Sequence, residues 1–162
     1  MRGFVDDIEE LTEGNTDFRR VLYTARNMQL VLMALQPGEE IGEEVHDDGD
    51  QFFRVEEGSG EAVLDGVRTP IEAGFAVLVP AGVKHNIVNT GSVALKLYTL
   101  YAPPNHRDGV IHETRADAEG EPHLHRAEDA EFGTERAAGF ARVRGDEQGD
   151  EHRRGGEDSR DE

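Results

Sequence analysis

The chain of 162 residues carries 35 Asp and Glu against 17 Lys and Arg, a formal net charge of −18, and has no cysteine. That balance argues against nucleic acid and anionic lipid as partners, because phosphate contacts need clustered Lys and Arg; without cysteine, disulfides and thiolate metal sites are excluded. No apolar run approaches the roughly 18 residues that span a bilayer, and the opening MRGFVDDIEE lacks the basic and apolar segments of a secretory signal, so no membrane partner and a cytoplasmic setting are expected.

Residues 1–18 are acidic, with Asp6-Asp7-Ile8-Glu9-Glu10-Leu11 suggesting one short helix or an arm. From Arg19 to about Pro103 the texture is strand-like. Short apolar runs, VLYTA, QLVLMALQ, QFFRVEE, GEAVLDG, AVLVP, HNIVNT and ALKLYTLYA, are separated by turn signals such as Pro37-Gly38, Asp48-Gly49, Ala73-Gly74 and Thr90-Gly91. Many short strands at this rhythm predict an all-β sandwich or barrel. The Leu64-Asp65-Gly66-Val67 step predicts a two-residue hairpin. QLVLMALQ and ALKLYTLY are apolar on both faces, which predicts a homodimer, since a lone barrel would leave one face wet.

Beyond the barrel, residues 105–118 read as an extension packing on it, and residues 119–162 as a disordered acidic tail. The surface is poor in lysine as well as rich in acid: Lys84 and Lys96 are the two lysines. Charge of that kind suits solubility at high salt, where repulsion is screened, and is read as halophilic.

The stretch EEVHDDGDQFF, residues 43–53, concentrates the candidate chemistry. On a strand, Glu44 and His46 share one face, roughly 6.6–6.8 Å apart. Asp47 to Asp50 then read as a hairpin turn that brings Gln51 back on the same side, and His85 follows a second turn at Pro80-Ala81-Gly82. The plain alternative for His46 is a solvated turn histidine.

These residues resemble the motifs of the cupin family. The second cupin motif is matched at every fixed position, Gly74, Pro80, Gly82, His85 and Asn89. The first is matched at Gly38, His46 and Gly58, with Glu44 where the family has His and Gln51 where it has Glu. More loosely, residues from RGFVDDIEEL to HETRADAE look like small cupins labelled mannose-6-phosphate-isomerase-like.

The resemblance implies a double-stranded β-helix (the cupin or jelly-roll barrel) over residues 19–104, with a divalent metal ion held by Glu44, His46, Gln51 and His85. The usual set brings three imidazoles and one carboxylate; this set also brings one negative charge, moved rather than lost. Its oxygen content favours Mn²⁺ or Fe²⁺, with Zn²⁺ and Ni²⁺ open. Asp50 competes with Gln51 for the fourth position, and the six-residue step to Gly58 favours Gln51.

The implied function is a metalloenzyme acting on a small polar or anionic metabolite, with isomerase, decarboxylase and dioxygenase chemistry open and no catalytic residue assigned. A non-catalytic sugar- or small-molecule-binding module is the alternative. Asn89 is expected to close a strand, and Gly58, Gly74 and Gly82 to make turns. His106 and His112 read by default as surface-loop residues, Phe52, Phe53, Tyr98 and Tyr101 as packing residues, and His123 and His125 as incidental chelators at most.

Overall fold

The Asp65-Gly66 step does what its chemistry demands. Both residues have positive φ, 46° and 82°, and they join two strands paired from Leu64↔Val67 to Ser59↔Glu72. The computed structural model of which this hairpin is part describes residues 3–120; the expectations for His123, His125 and the tail beyond Gly120 lie outside them.

Every apolar run named above forms a strand. In chain order the elements are α1 (Ile8–Gly14), β1 (Arg19–Thr24), β2 (Gln29–Leu35), β3 (Asp50–Glu57), β4 (Ser59–Leu64) and β5 (Val67–Glu72). There follow β6 (Ala76–Val79), β7 (His85–Val88), β8 (Leu95–Ala102), β9 (Ile111–His112) and α2 (Arg115–Ala118). Pro70 sits within β5 and costs no ladder bond there, because β5 is an edge strand.

The strands form two antiparallel sheets, one ordered β6-β3-β8-β2-β1-β9 and the other β5-β4-β7. The sheets close on a shared core in which Val31, Met33, Phe53, Val55, Leu95 and Leu97 of the larger meet Ala62, Ile71 and Ile87 of the smaller. This is the expected double-stranded β-helix.

Two expectations need correction. Asp47 to Asp50 do not make a hairpin: residues 40–44 bridge to β7 in the smaller sheet, whereas β3 pairs with β6 and β8 in the larger. The loop is a crossover between sheets, and it lies so close to β8 that a Cβ on Gly49 would stand 2.8 Å from Pro103 and 2.9 Å from the Ala102 carbonyl.

The second correction concerns the outer face of the larger sheet. Leu32 and Ala34 lie on the face of β2 opposite the core residues Val31, Met33 and Leu35, yet are 0% and 2% exposed. α1 packs on β2, β3 and β8, burying Leu11 and Thr12, and Lys96 Nζ donates to the Glu13 carbonyl. At these positions the chain covers its own apolar face, so their hydrophobicity does not require a second copy.

Candidate metal centre

Backbone pairing brings Glu44 and His85 together. They exchange both amide hydrogen bonds, Glu44 N–H to His85 O and the reverse, each 2.9 Å. Residues directly opposite in an antiparallel pair project side chains to the same face. His46 lies two residues further on that face, and its carbonyl is fixed by the Gly82 N–H at 2.8 Å. Gly82, at φ +81°, occupies the left-handed turn that this approach uses.

Gln51 reaches the same point from the other sheet. It is 1% exposed; its Nε2 donates to Thr99 Oγ1 at 2.9 Å, and its Oε1 lies 2.9 Å from His85 Nε2. Asp50 points elsewhere: its carboxylate accepts the Ala81 N–H at 2.9 Å and holds the turn before His85.

One ligand atom each from Glu44, His46 and His85 lies within 4.8 Å of the others. Glu44 Oε2 is 3.4 Å from His46 Nε2 and 4.0 Å from His85 Nε2. Donors bound to one ion at roughly 2.0–2.2 Å stand about 3–3.5 Å apart when adjacent, so this spacing suits a common ion with slight contraction.

Protonation fits as well. His85 Nδ1 lies 3.0 Å from the Val83 carbonyl and Nε2 2.9 Å from Gln51 Oε1, two oxygens that only accept. A neutral ring that donates Nδ1–H to Val83 sets its Nε2 lone pair against the Gln51 oxygen, an opposition that a shared cation would relieve. Burial, the largest cause, lowers the His85 pKa from its ordinary 6.5 and favours the neutral ring. Two imidazole nitrogens, a carboxylate and an amide oxygen thus converge, a set compatible with a divalent ion.

Tyr101 backs the cluster. Its ring meets His46 edge-on at 5.7 Å between centroids, and burial, with the Glu44 charge beside it, pushes its pKa well up, so it stays a neutral phenol. Behind it stands His106, 1% exposed and edge-on to Tyr101 at 5.2 Å. The surface-loop expectation for His106 is therefore wrong. Gln29 holds that segment inward: its Oε1 accepts the His106 N–H at 2.9 Å and its Nε2 donates to the His106 carbonyl at 2.7 Å. Nothing local in the sequence announces a contact across 77 positions. Asn89 closes a strand end as expected, donating to the Leu35 and Val93 carbonyls.

Two openings flank the centre. A crevice of about 10 Å³ beside His46 and Tyr101, lined also by Gly49 and Pro103, has room for about one water. A larger cleft, about 180 Å³, reaches Glu44 from the other side past Phe18, Arg19 and Ile41.

Comparison with known proteins agrees with this fold. Residues 31–101 match the cupin domain family. The YrkC protein of Bacillus subtilis (strain 168) is 44% identical over 121 residues, 71% of this chain; that match spans just under two thirds, 65%, of the relative's own length. The crystal structure of BH2720 from Bacillus halodurans superposes with a TM-score of 0.73 at 44% identity, covering 74% of this chain and 96% of that one. A double-stranded β-helix protein from Klebsiella pneumoniae superposes at 0.56 with 22% identity, over 70% of this chain and all (100%) of the other, a likeness of fold.

Proposed function

The chain belongs to the cupin family, and from that premise we propose that Glu44, His46, Gln51 and His85 hold one divalent metal ion in an enzyme for a small polar or anionic metabolite. The observation that carries this reading is the meeting of the Glu44, His46 and His85 ligand atoms within 4.8 Å, with Gln51 Oε1 beside His85 Nε2. Mn²⁺ or Fe²⁺ suits the oxygen-rich set best, with Zn²⁺ and Ni²⁺ as competitors.

The ion would supply a Lewis acid for a substrate oxygen. The chain's own residues do the rest. Val83 and Gln51 orient the His85 ring, Thr99 fixes the Gln51 amide, and Tyr101 packs edge-on against His46. The cleft beside Glu44 admits the substrate. Isomerase, decarboxylase and dioxygenase chemistry each remain open for such a centre.

A second reading, a binding module without turnover, draws support from one feature: among the described residues Glu44 is the one carboxylate of the cluster, so ligation leaves no free carboxylate base there. Metal analysis of the full chain tests the site. About one divalent ion per chain is expected for wild type and a large loss for His46→Ala and His85→Ala; a wild type that takes up none after reconstitution refutes it. With metal in place, screening sugar phosphates, small keto acids and dioxygen uptake separates enzyme from binder.

We also infer a salt-tolerant protein from its acid-rich, lysine-poor composition. A homodimer is supported by Leu78, 66% exposed on the edge strand β6, and neighbouring Phe75, 44% exposed.

A further inference from the structure

The tandem Arg19-Arg20 at the start of β1 divides its labour. Strand alternation sends the two side chains to opposite faces. Arg20 turns outward and pairs with Asp17, Nε to Oδ2 at 2.7 Å. Arg19 turns inward on the face of the core residue Val21; it is 4% exposed, and its Nε has no hydrogen-bond partner among the described residues. Its guanidinium stands over the Phe18 ring at 5.6 Å from the centroid, a contact that steadies a cation without neutralising it.

A buried cation without a paired anion costs several kcal/mol in general, and such charges are otherwise paired or bound to a ligand. Arg19 also lines the cleft that leads to Glu44. At the rim Arg115 adds a second guanidinium, 3.7 Å from Glu40. Arg19 and Arg115 are balanced along this cleft by Glu44 and Glu119, so in a chain of net charge −18 its wall is locally neutral rather than acidic.

We infer that Arg19 forms an oxyanion subsite, and that the ligand of this cleft is a small molecule carrying a carboxylate or phosphate group, held by the Arg19 fork at one end and facing Glu44 and the histidines at the other. The planar guanidinium suits both groups, because its paired N–H donors match two oxygens at once. The far end of the ligand rests on the metal reading above. A divalent ion held by one carboxylate, beside Arg19, leaves positive charge in excess, which an anionic ligand balances.

The test uses the full chain, metal-free and Mn²⁺-loaded, titrated calorimetrically with malonate and with inorganic phosphate against chloride at matched ionic strength. Wild type is expected to bind at least one of them saturably. Arg19→Gln should weaken that binding at least tenfold and Arg19→Lys less, with Mn²⁺ content unchanged in both. In anion-free buffer Arg19→Met should melt no lower than wild type, because it removes an unpaired buried charge. No saturable binding of either anion by wild type, an Arg19→Gln titration like wild type, or a clearly lower melting temperature for Arg19→Met would overturn the subsite. Failure of the metal reading looks different: Mn²⁺ is absent while anion binding to the metal-free chain still depends on Arg19.

Discussion

Gln51 is held at both ends of its amide, by Thr99 and beside His85, so its oxygen is aimed before any ion arrives. Gln51→Leu is expected to lower Mn²⁺ affinity by about 10–100-fold, the usual cost of losing an orienting or ligating group. Gln51→Glu should keep Mn²⁺ affinity but melt lower than wild type in chelator, because it places a second buried carboxylate near Glu44. Calorimetric titration and melting curves measure both; a Gln51→Leu that binds like wild type would remove Gln51 from the site.

His85 gives the acid limit of the metal-free protein. Burial lowers its folded pKa below the ordinary 6.5, so on acidification the unfolded chain takes this proton first. The ring's contribution is therefore complete above about pH 6.5 and drains as pH falls toward the lower folded value. In chelator, wild type should lose more melting temperature between pH 7.5 and 5.5 than His85→Gln; equal losses would contradict this. Of these residues, His85 was legible because Gly74, Pro80, Gly82 and Asn89 surround it at fixed local spacing. Arg19 and His106 were not, because what buries them comes from distant parts of the chain.

At the scale of elements, α1 is the small piece with a large effect. Asp7 caps it by accepting the Glu10 N–H at 3.1 Å, and Leu11, 8% exposed, seals the outer face of the larger sheet. Leu11→Ala should cost about 2–3 kcal/mol by the usual scale of buried leucine truncation, read by chemical denaturation; a change below about 0.5 kcal/mol, the size of an ordinary surface substitution, would mean α1 does not seal that face. Apolar runs and glycine turns made seven strands readable, and Asp65-Gly66 made one hairpin readable, because both signals are local. Asp47 to Asp50 misled for the same reason. Turn chemistry says where the chain bends but not which strand it joins next, and here it joins the opposite sheet. β9 is two residues long, Ile111–His112, and is set by pairing with β1 rather than by any pattern of its own.

At the scale of the whole molecule, composition acts through the field of many charges. A net charge of −18 opposes compaction, and raising salt from about 0.1 M to about 1 M shortens the screening length from roughly 10 Å to 3 Å. The melting temperature of the full chain is expected to rise over that range, and a fall would contradict the salt-tolerant reading. Two sheets around one core make the centre possible, since the smaller sheet and its bridge supply Glu44, His46 and His85 while the larger supplies Gln51. The most direct measurement of that convergence is anomalous diffraction from the Mn²⁺-reconstituted protein at the manganese edge. The expected result is one peak within roughly 2.0–2.3 Å of donor atoms of Glu44, His46, Gln51 and His85; no peak there, or a peak held by other residues instead, would contradict the account.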